Sequence, residues 1–181
     1  MKRITIILGI LTALNLQAQE EVPLQLKHIK GVNALDFGIG AGQFGLNYEV
    51  GFTSYYHEKY FVKYAINYED VKMPVSKFKD FLFVVDNNYT LFKLRERFYF
   101  NIMGSAFLGF EKIQAYTPEN TIYSYPQTNK ALFGLGGGVN AEMYINKDIA
   151  LIAQAREYWN PNCQFGNLKY SILGGIRIII K

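Results

Sequence analysis

The sequence predicts an all-β protein: a small antiparallel up-and-down outer-membrane β-barrel of eight strands, with its apolar face turned to lipid. Three observations carry this reading. Segment after segment alternates apolar and polar residues with a period of two, and none shows a helical period. The polar faces of those segments are rich in glycine, where a solvated exterior would carry Lys and Glu. The chain opens with the order of parts found in an export signal.

That signal comes first. Lys2 and Arg3 form a positive region, Ile4 to Leu16 is apolar apart from Thr5, Thr12 and Asn15, and Leu16-Gln17-Ala18 offers a small residue for cleavage. The apolar run falls short of the ~20 residues a spanning helix needs, and Glu20-Glu21 follows directly. Residues 1–18 are therefore expected to be a cleavable signal, 19–30 a short periplasmic lead and 31–181 the barrel. Export is to the bacterial outer membrane in this reading. The only cysteine, Cys163, excludes an intramolecular disulfide and is not at the cleavage site, so neither disulfides nor lipid attachment holds the mature chain.

Eight strands follow, at roughly 31–41, 43–54, 59–70, 78–92, 97–112, 131–145, 148–158 and 168–180. In the second, Phe44, Leu46, Tyr48, Val50 and Phe52 oppose Gly45, Asn47, Glu49, Gly51 and Thr53. In the third, Tyr60, Val62, Tyr64, Ile66 and Tyr68 oppose Lys63, Ala65, Asn67 and Glu69. The fifth sorts Phe98, Phe100, Ile102 and Leu108 from Asn101, Met103, Ser105 and Glu111, although Tyr99 and Phe107 interrupt its polar face. The sixth sets Phe133, Leu135 and Val139 against Gly134, Gly136, Gly138, Asn140 and Glu142. Several segments reach the ~9–11 residues that cross lipid at a tilt. A soluble sandwich accepts the same alternation, but glycine-rich polar faces suit a narrow interior better than a solvated exterior. Connections near Gly42, Leu94 to Glu96 and Asn146-Lys147 are short, Tyr55 to Lys59 is middling, and 71–77, 115–130 and 160–167 are longer.

Composition agrees. Tyr and Phe contribute fourteen each, and 16% aromatic residues suit strands and membrane interfaces. Without Lys2 and Arg3, seventeen bases face fifteen acids, so charge gives little support to nucleic-acid binding.

Few residues suggest chemistry. There is no Ser/His/Asp arrangement, phosphate loop or metal-ligand spacing, and no catalytic, cofactor or metal residue is assigned. His28 and His57 read as solvated polar residues. Gly134-Leu135-Gly136-Gly137-Gly138 lacks the Lys-Ser/Thr and helix of a nucleotide loop and reads as a strand with small inward residues. Asp36, Glu49, Lys63, Glu69, Glu142, Arg156 and Arg177, with Asn47, Asn67, Asn140 and Gln154, are expected inside. Buried charges there must pair, giving a salt-bridged plug in preference to a pore lining or catalytic acid pair. Tyr55, Tyr56, Tyr158 and Trp159 are expected at the rim as interface aromatics, either anchoring in lipid or contacting a partner.

The stretches Phe133-Gly134-x-Gly136-Gly137-Gly138, Glu142-Met143-Tyr144, Ile149 to Arg156 and Ser171-x-x-Gly174-Gly175-Ile176-Arg177 together resemble the TraO family of conjugal transfer proteins, from conjugative transposons of Bacteroides-like bacteria. A signal ending in Ala-Gln, a similar length and a Met73-Pro74 step before the fourth strand add to the likeness. The chain departs from it by ending Ile178-Ile179-Ile180-Lys181, where the family commonly ends on an aromatic residue. The resemblance implies a non-enzymatic outer-membrane component of a transfer apparatus, an anchor or scaffold that contacts lipid and other transfer proteins. It implies no cofactor, no small-molecule substrate and no direct contact with nucleic acid. The alternative is a generic porin-like or adhesion barrel unrelated to conjugation.

Overall fold

The computed structural model describes residues 28–43, 45–72, 76–95, 97–115, 128–162 and 167–180. The expected signal, most of the lead, the Met73-Pro74 step and Cys163 lie outside these residues.

The alternating segments become eight strands: β1 (Asn33–Gly42), β2 (Gly45–His57), β3 (Tyr60–Lys72), β4 (Ser76–Leu94), β5 (Phe98–Ala115), β6 (Thr128–Tyr144), β7 (Ile149–Trp159) and β8 (Leu168–Ile180). Each pairs antiparallel with the next, and β8 closes on β1. The closure is staggered. From Ile180 the register runs through Asn33, Ser54, Val62, Asn87, Gly104, Gly137 and Glu157 and returns to β8 at Tyr170, ten residues back along the strand. Such a shear tilts the strands by about 35–45° and leaves a lumen that side chains just fill.

The two faces sort as the alternation requires. On β2, Leu46, Tyr48, Val50 and Phe52 are exposed while Asn47, Glu49 and Thr53 are buried. On β5, Tyr99 and Phe107, which interrupt the polar pattern, point inward with Asn101 and Ser105. A β-bulge between Thr90 and Phe92 on β4 shifts the register, so Leu91, Phe92 and Leu94 are all exposed near its end.

The glycine run of β6 has a steric reason. Gly134, Gly136 and Gly138 stand opposite Phe107, Ser105 and Met103 of β5. A Cβ on Gly136 would meet the Tyr158 ring at 2.8 Å, and one on Gly134 would meet the Phe107 ring at 2.8 Å. Glycine on one strand makes room in the narrow lumen for large side chains from its neighbours.

β1 begins and β8 ends at one mouth, shared with the turns at 58–59, 95–97 and 145–148. The strand ends that flank 43–44, 73–75, 116–127 and 160–167 lie at the other mouth. The lengths of the connections do not sort cleanly by mouth. The Gly42 turn is short but belongs to the mouth with the long loops, and the Tyr55–Lys59 connection tightens to two residues because β2 extends to His57.

Candidate functional site

Four groups of side chains occupy the lumen. At the short-turn mouth, Ala34, Tyr55, Phe61, Tyr99, Tyr144, Ala150 and Ile179 form an apolar ring. His28 enters it, only 5% exposed, and stacks on Tyr99 with ring centroids 4.1 Å apart. The local sequence explains this entry. Val32 N donates to Ile29 O at 3.1 Å, with Gly31 at φ 87 inside the turn, a conformation that favours glycine, and the chain doubles back so that residue 28 faces the lumen. His28 Nε2 lies 3.1 Å from Glu142 Oε2 and Nδ1 lies 3.2 Å from the Glu58 carbonyl oxygen.

Above this ring, Arg177 of β8 grips Asp36 of β1 with two prongs, Nε to Oδ1 at 2.6 Å and a terminal nitrogen to Oδ2 at 2.7 Å. Its other terminal nitrogen donates to Tyr55 Oη at 2.7 Å and lies 2.8 Å from Glu142 Oε1. Thr53 donates to Asp36, and Asn101 donates to Glu142 at 2.9 Å. The middle layer centres on Glu49 of β2. Lys63 of β3 donates to it, Arg156 of β7 reaches it at 2.8 Å, and Gln154 Nε2 donates to it at 2.5 Å. Arg156 also donates to Tyr158 Oη at 2.6 Å and to Asp86 of β4, which accepts from Ser105 at 2.6 Å. Toward the loop mouth, Lys169 of β8 pairs with Asp80, lies 3.8 Å from Glu111, and sits 5.4 Å from the Phe78 ring centroid.

Asp36, Glu49, Lys63, Glu142, Gln154, Arg156 and Arg177 thus all lie in the lumen, buried and joined across strands distant in sequence. Glu69, Asn47, Asn67 and Asn140 are buried as well. Asn140 stands apart, neither amide atom having a partner among the described residues.

Of the four aromatics expected at the rim, two lie elsewhere. Tyr56 and Trp159 are 48% and 51% exposed on the outer wall. Tyr55 is 1% and Tyr158 4% exposed, both inside the lumen. Each shares the inward parity of a polar residue two places earlier, Thr53 and Arg156, and each phenol accepts from an arginine. His28 is likewise buried, against the expectation of a solvated residue, and so the lead ends inside the mouth. His57 is exposed in its turn, with Nδ1 accepting from Lys59 N. The sequence reading put Asn101 and Glu111 on the polar face of the fifth strand without counting them in the network, and it passed over Asp80, Asp86 and Lys169. On β4 the signal was present, since Asp80, Asp86 and Asn88 alternate with Phe81, Phe83 and Tyr89.

The outer wall is the inverse of a soluble surface. Ile39, Val50, Ile66, Phe83, Ile102, Leu135, Leu151, Ile172 and Ile176 are all exposed, and aromatic residues gather toward both mouths: Tyr56, Tyr60 and Tyr89 at one, Tyr48, Phe81, Phe110, Trp159 and Tyr170 at the other. A contiguous apolar belt between aromatic girdles, on a barrel with no unpaired edge, is stable only in lipid.

The chain is a membrane-spanning β-barrel. Solved structures share the fold. Neisserial surface protein A aligns over 81% of this chain and 95% of its own, at 12% identity and TM-score 0.64. The N-terminal β-barrel domain of Pseudomonas aeruginosa OprF aligns over 83% and 98%, at 12% identity and TM-score 0.58. Ail, the attachment invasion locus protein of Yersinia pestis, aligns over 84% and 100%, at 9% identity and TM-score 0.54. No family model matches the sequence, and no curated protein matches it.

Proposed function

We propose that this chain is a non-enzymatic anchor in the bacterial outer membrane that acts through its rims and loops, not its lumen. The observation that carries this reading is the filled interior: Arg177, Arg156, Lys63 and Lys169 tie their carboxylates across the lumen, with His28 in the short-turn mouth. Among the described residues the lumen is occupied by these paired side chains, which disfavours the porin-like reading and favours an adhesion or docking role. The likeness to Ail, the attachment invasion locus protein, fits such a role in fold only. Short turns and both barrel ends at one mouth support a periplasmic placement of that mouth, with the long loops external. Liposomes carrying the refolded chain are expected to show no swelling in sugar solutions. Rapid swelling would overturn the anchor reading.

The second reading places this anchor in a conjugative apparatus, docking other transfer proteins. The segments running from Phe133 to Tyr144, Ile149 to Arg156 and Ser171 to Arg177, which resemble TraO proteins, support it. Deleting the gene from a donor strain is expected to lower transfer frequency and leave adherence to host cells and abiotic surfaces unchanged. The opposite pair of results would favour the adhesion role unrelated to conjugation.

A further inference from the structure

At the loop mouth the outer wall of β4 and β5 carries a feature that neither lipid anchoring nor lumen packing explains. Lys79 and Lys112 stand directly opposite each other in the register and both are exposed. Like charges in directly opposed cross-strand positions repel. Asp70 faces Lys79 from β3 and Asn129 faces Lys112 from β6, and among the described residues neither lysine forms an ion pair. One step toward the membrane on the same wall, Phe81 and Phe110 are also directly opposed, and their rings stack with centroids 5.4 Å apart and planes at 18°. Below them Phe83 and Leu108 continue the pair as exposed apolar residues. Two adjacent cations therefore cap a continuous apolar strip at the loop mouth.

We propose that Lys79 and Lys112 hold the phosphate of a phosphorylated lipid of the outer leaflet, whose acyl chain lies along Phe81, Phe110 and the residues below. An anion between the lysines relieves their repulsion, and the rings supply the contact that a free phosphate would not use. The inference rests on the external placement of the loop mouth in the proposed anchor and is independent of any role in conjugation.

The test uses the full mature chain folded into phosphatidylcholine vesicles containing either phosphorylated lipid A or lipid A stripped of both phosphates. The temperature at which the folded gel band is lost is expected to be several degrees higher with the phosphorylated lipid. The double variant Lys79→Glu/Lys112→Glu is expected to lose that difference. Lys79→Arg/Lys112→Arg should keep it, as should Lys59→Glu/Lys147→Glu at the opposite mouth, where both lysines are also exposed. Survival of the difference in the Lys79→Glu/Lys112→Glu chain would overturn the proposal, and so would an equal rise on adding inorganic pyrophosphate to stripped vesicles. All four lysines lie outside the lumen, so a folded band in plain phosphatidylcholine vesicles separates loss of lipid binding from loss of fold. A negative result with that band present leaves the anchor reading standing.

Discussion

Arg177 and Arg156 are both wholly buried and both bridge two carboxylates, yet their surroundings differ. Arg177 has every nitrogen occupied, by Asp36, Tyr55, Thr53 and Glu142, and Asp36 takes it in a two-pronged grip. Arg156 leaves its Nε without a partner among the described residues and takes each of its two carboxylates through a single nitrogen. Glu49 is also neutralised by Lys63 and accepts from Gln154, so it is not dependent on Arg156. Lys63 stands 3.7 Å from Asp36, whereas Glu142 has only the His28 imidazole, at 3.1 Å, as a second basic neighbour among the described residues. In the lower node Arg177 makes the closest ion pairs of both carboxylates; in the middle node Glu49 is shared with Lys63, while Asp86 has no other cation than Arg156 among the described residues. A buried charge left unpaired costs more than a pair contributes, so concentration makes a node fragile.

The largest expected effect tests this directly. Arg177→Met leaves Asp36 and Glu142 short of their main counter-charge and is expected to lower the unfolding free energy by about 4–5 kcal/mol, the upper part of the range for breaking a buried ion pair. Urea unfolding in detergent micelles, followed by the heat-modifiable gel band, measures it. Arg156→Met is expected to lower it by about 3 kcal/mol, since Asp86 alone loses its counter-charge while Lys63 continues to serve Glu49. Equal losses in the two variants would break the contrast between nodes. An intermediate effect is expected where glycine makes room. Gly136→Val drives a side chain into the Tyr158 ring and the Glu157 carbonyl and is expected to cost about 1–3 kcal/mol. At Gly137, one residue on, a Cβ would meet only the Met103 carbonyl oxygen at 3.5 Å, so Gly137→Val is expected to change stability by less than about 0.5 kcal/mol.

These contrasts also mark what the sequence could carry. Strand number, alternation and the inward set from Asp36 to Arg177 follow from a period of two, a local property that burial on one face enforces. Which acid meets which base is not local. Lys63 reaches Gln154, 91 residues away, because the barrel closes with a ten-residue stagger, and no short stretch encodes that offset. His28 was illegible for a similar reason: its burial depends on a turn at Gly31 and on a mouth built from β2, β3, β5 and β6. Asp80 and Asp86, by contrast, were readable from the alternation of β4. Tyr55 and Tyr158 were readable too. Grouping Tyr55 with Tyr56 and Tyr158 with Trp159 as aromatic pairs put both members at the rim, although neighbours on a strand face opposite walls.

The adjacent pair Tyr158 and Trp159 gives the finest test of that sorting. Tyr158 closes the Arg156 node from inside, and its ring meets Phe107 edge-on at 5.0 Å. Tyr158→Phe keeps the ring and removes the hydroxyl, so the expected cost is that of one hydrogen bond to a charged donor, about 1.5 kcal/mol. Trp159→Phe trades one lipid-facing ring for another and is expected to change stability by less than about 0.5 kcal/mol. The chain has a single tryptophan, so Trp159 fluorescence reports one position. With half of its surface exposed on the outer wall, it is expected to be quenched strongly by lipids brominated close to the headgroup and weakly by lipids brominated at the chain end. Quenching by aqueous iodide with no response to brominated lipid would place Trp159 outside the membrane, and the external girdle would then have to sit lower on β7, nearer Ala153 and Leu151.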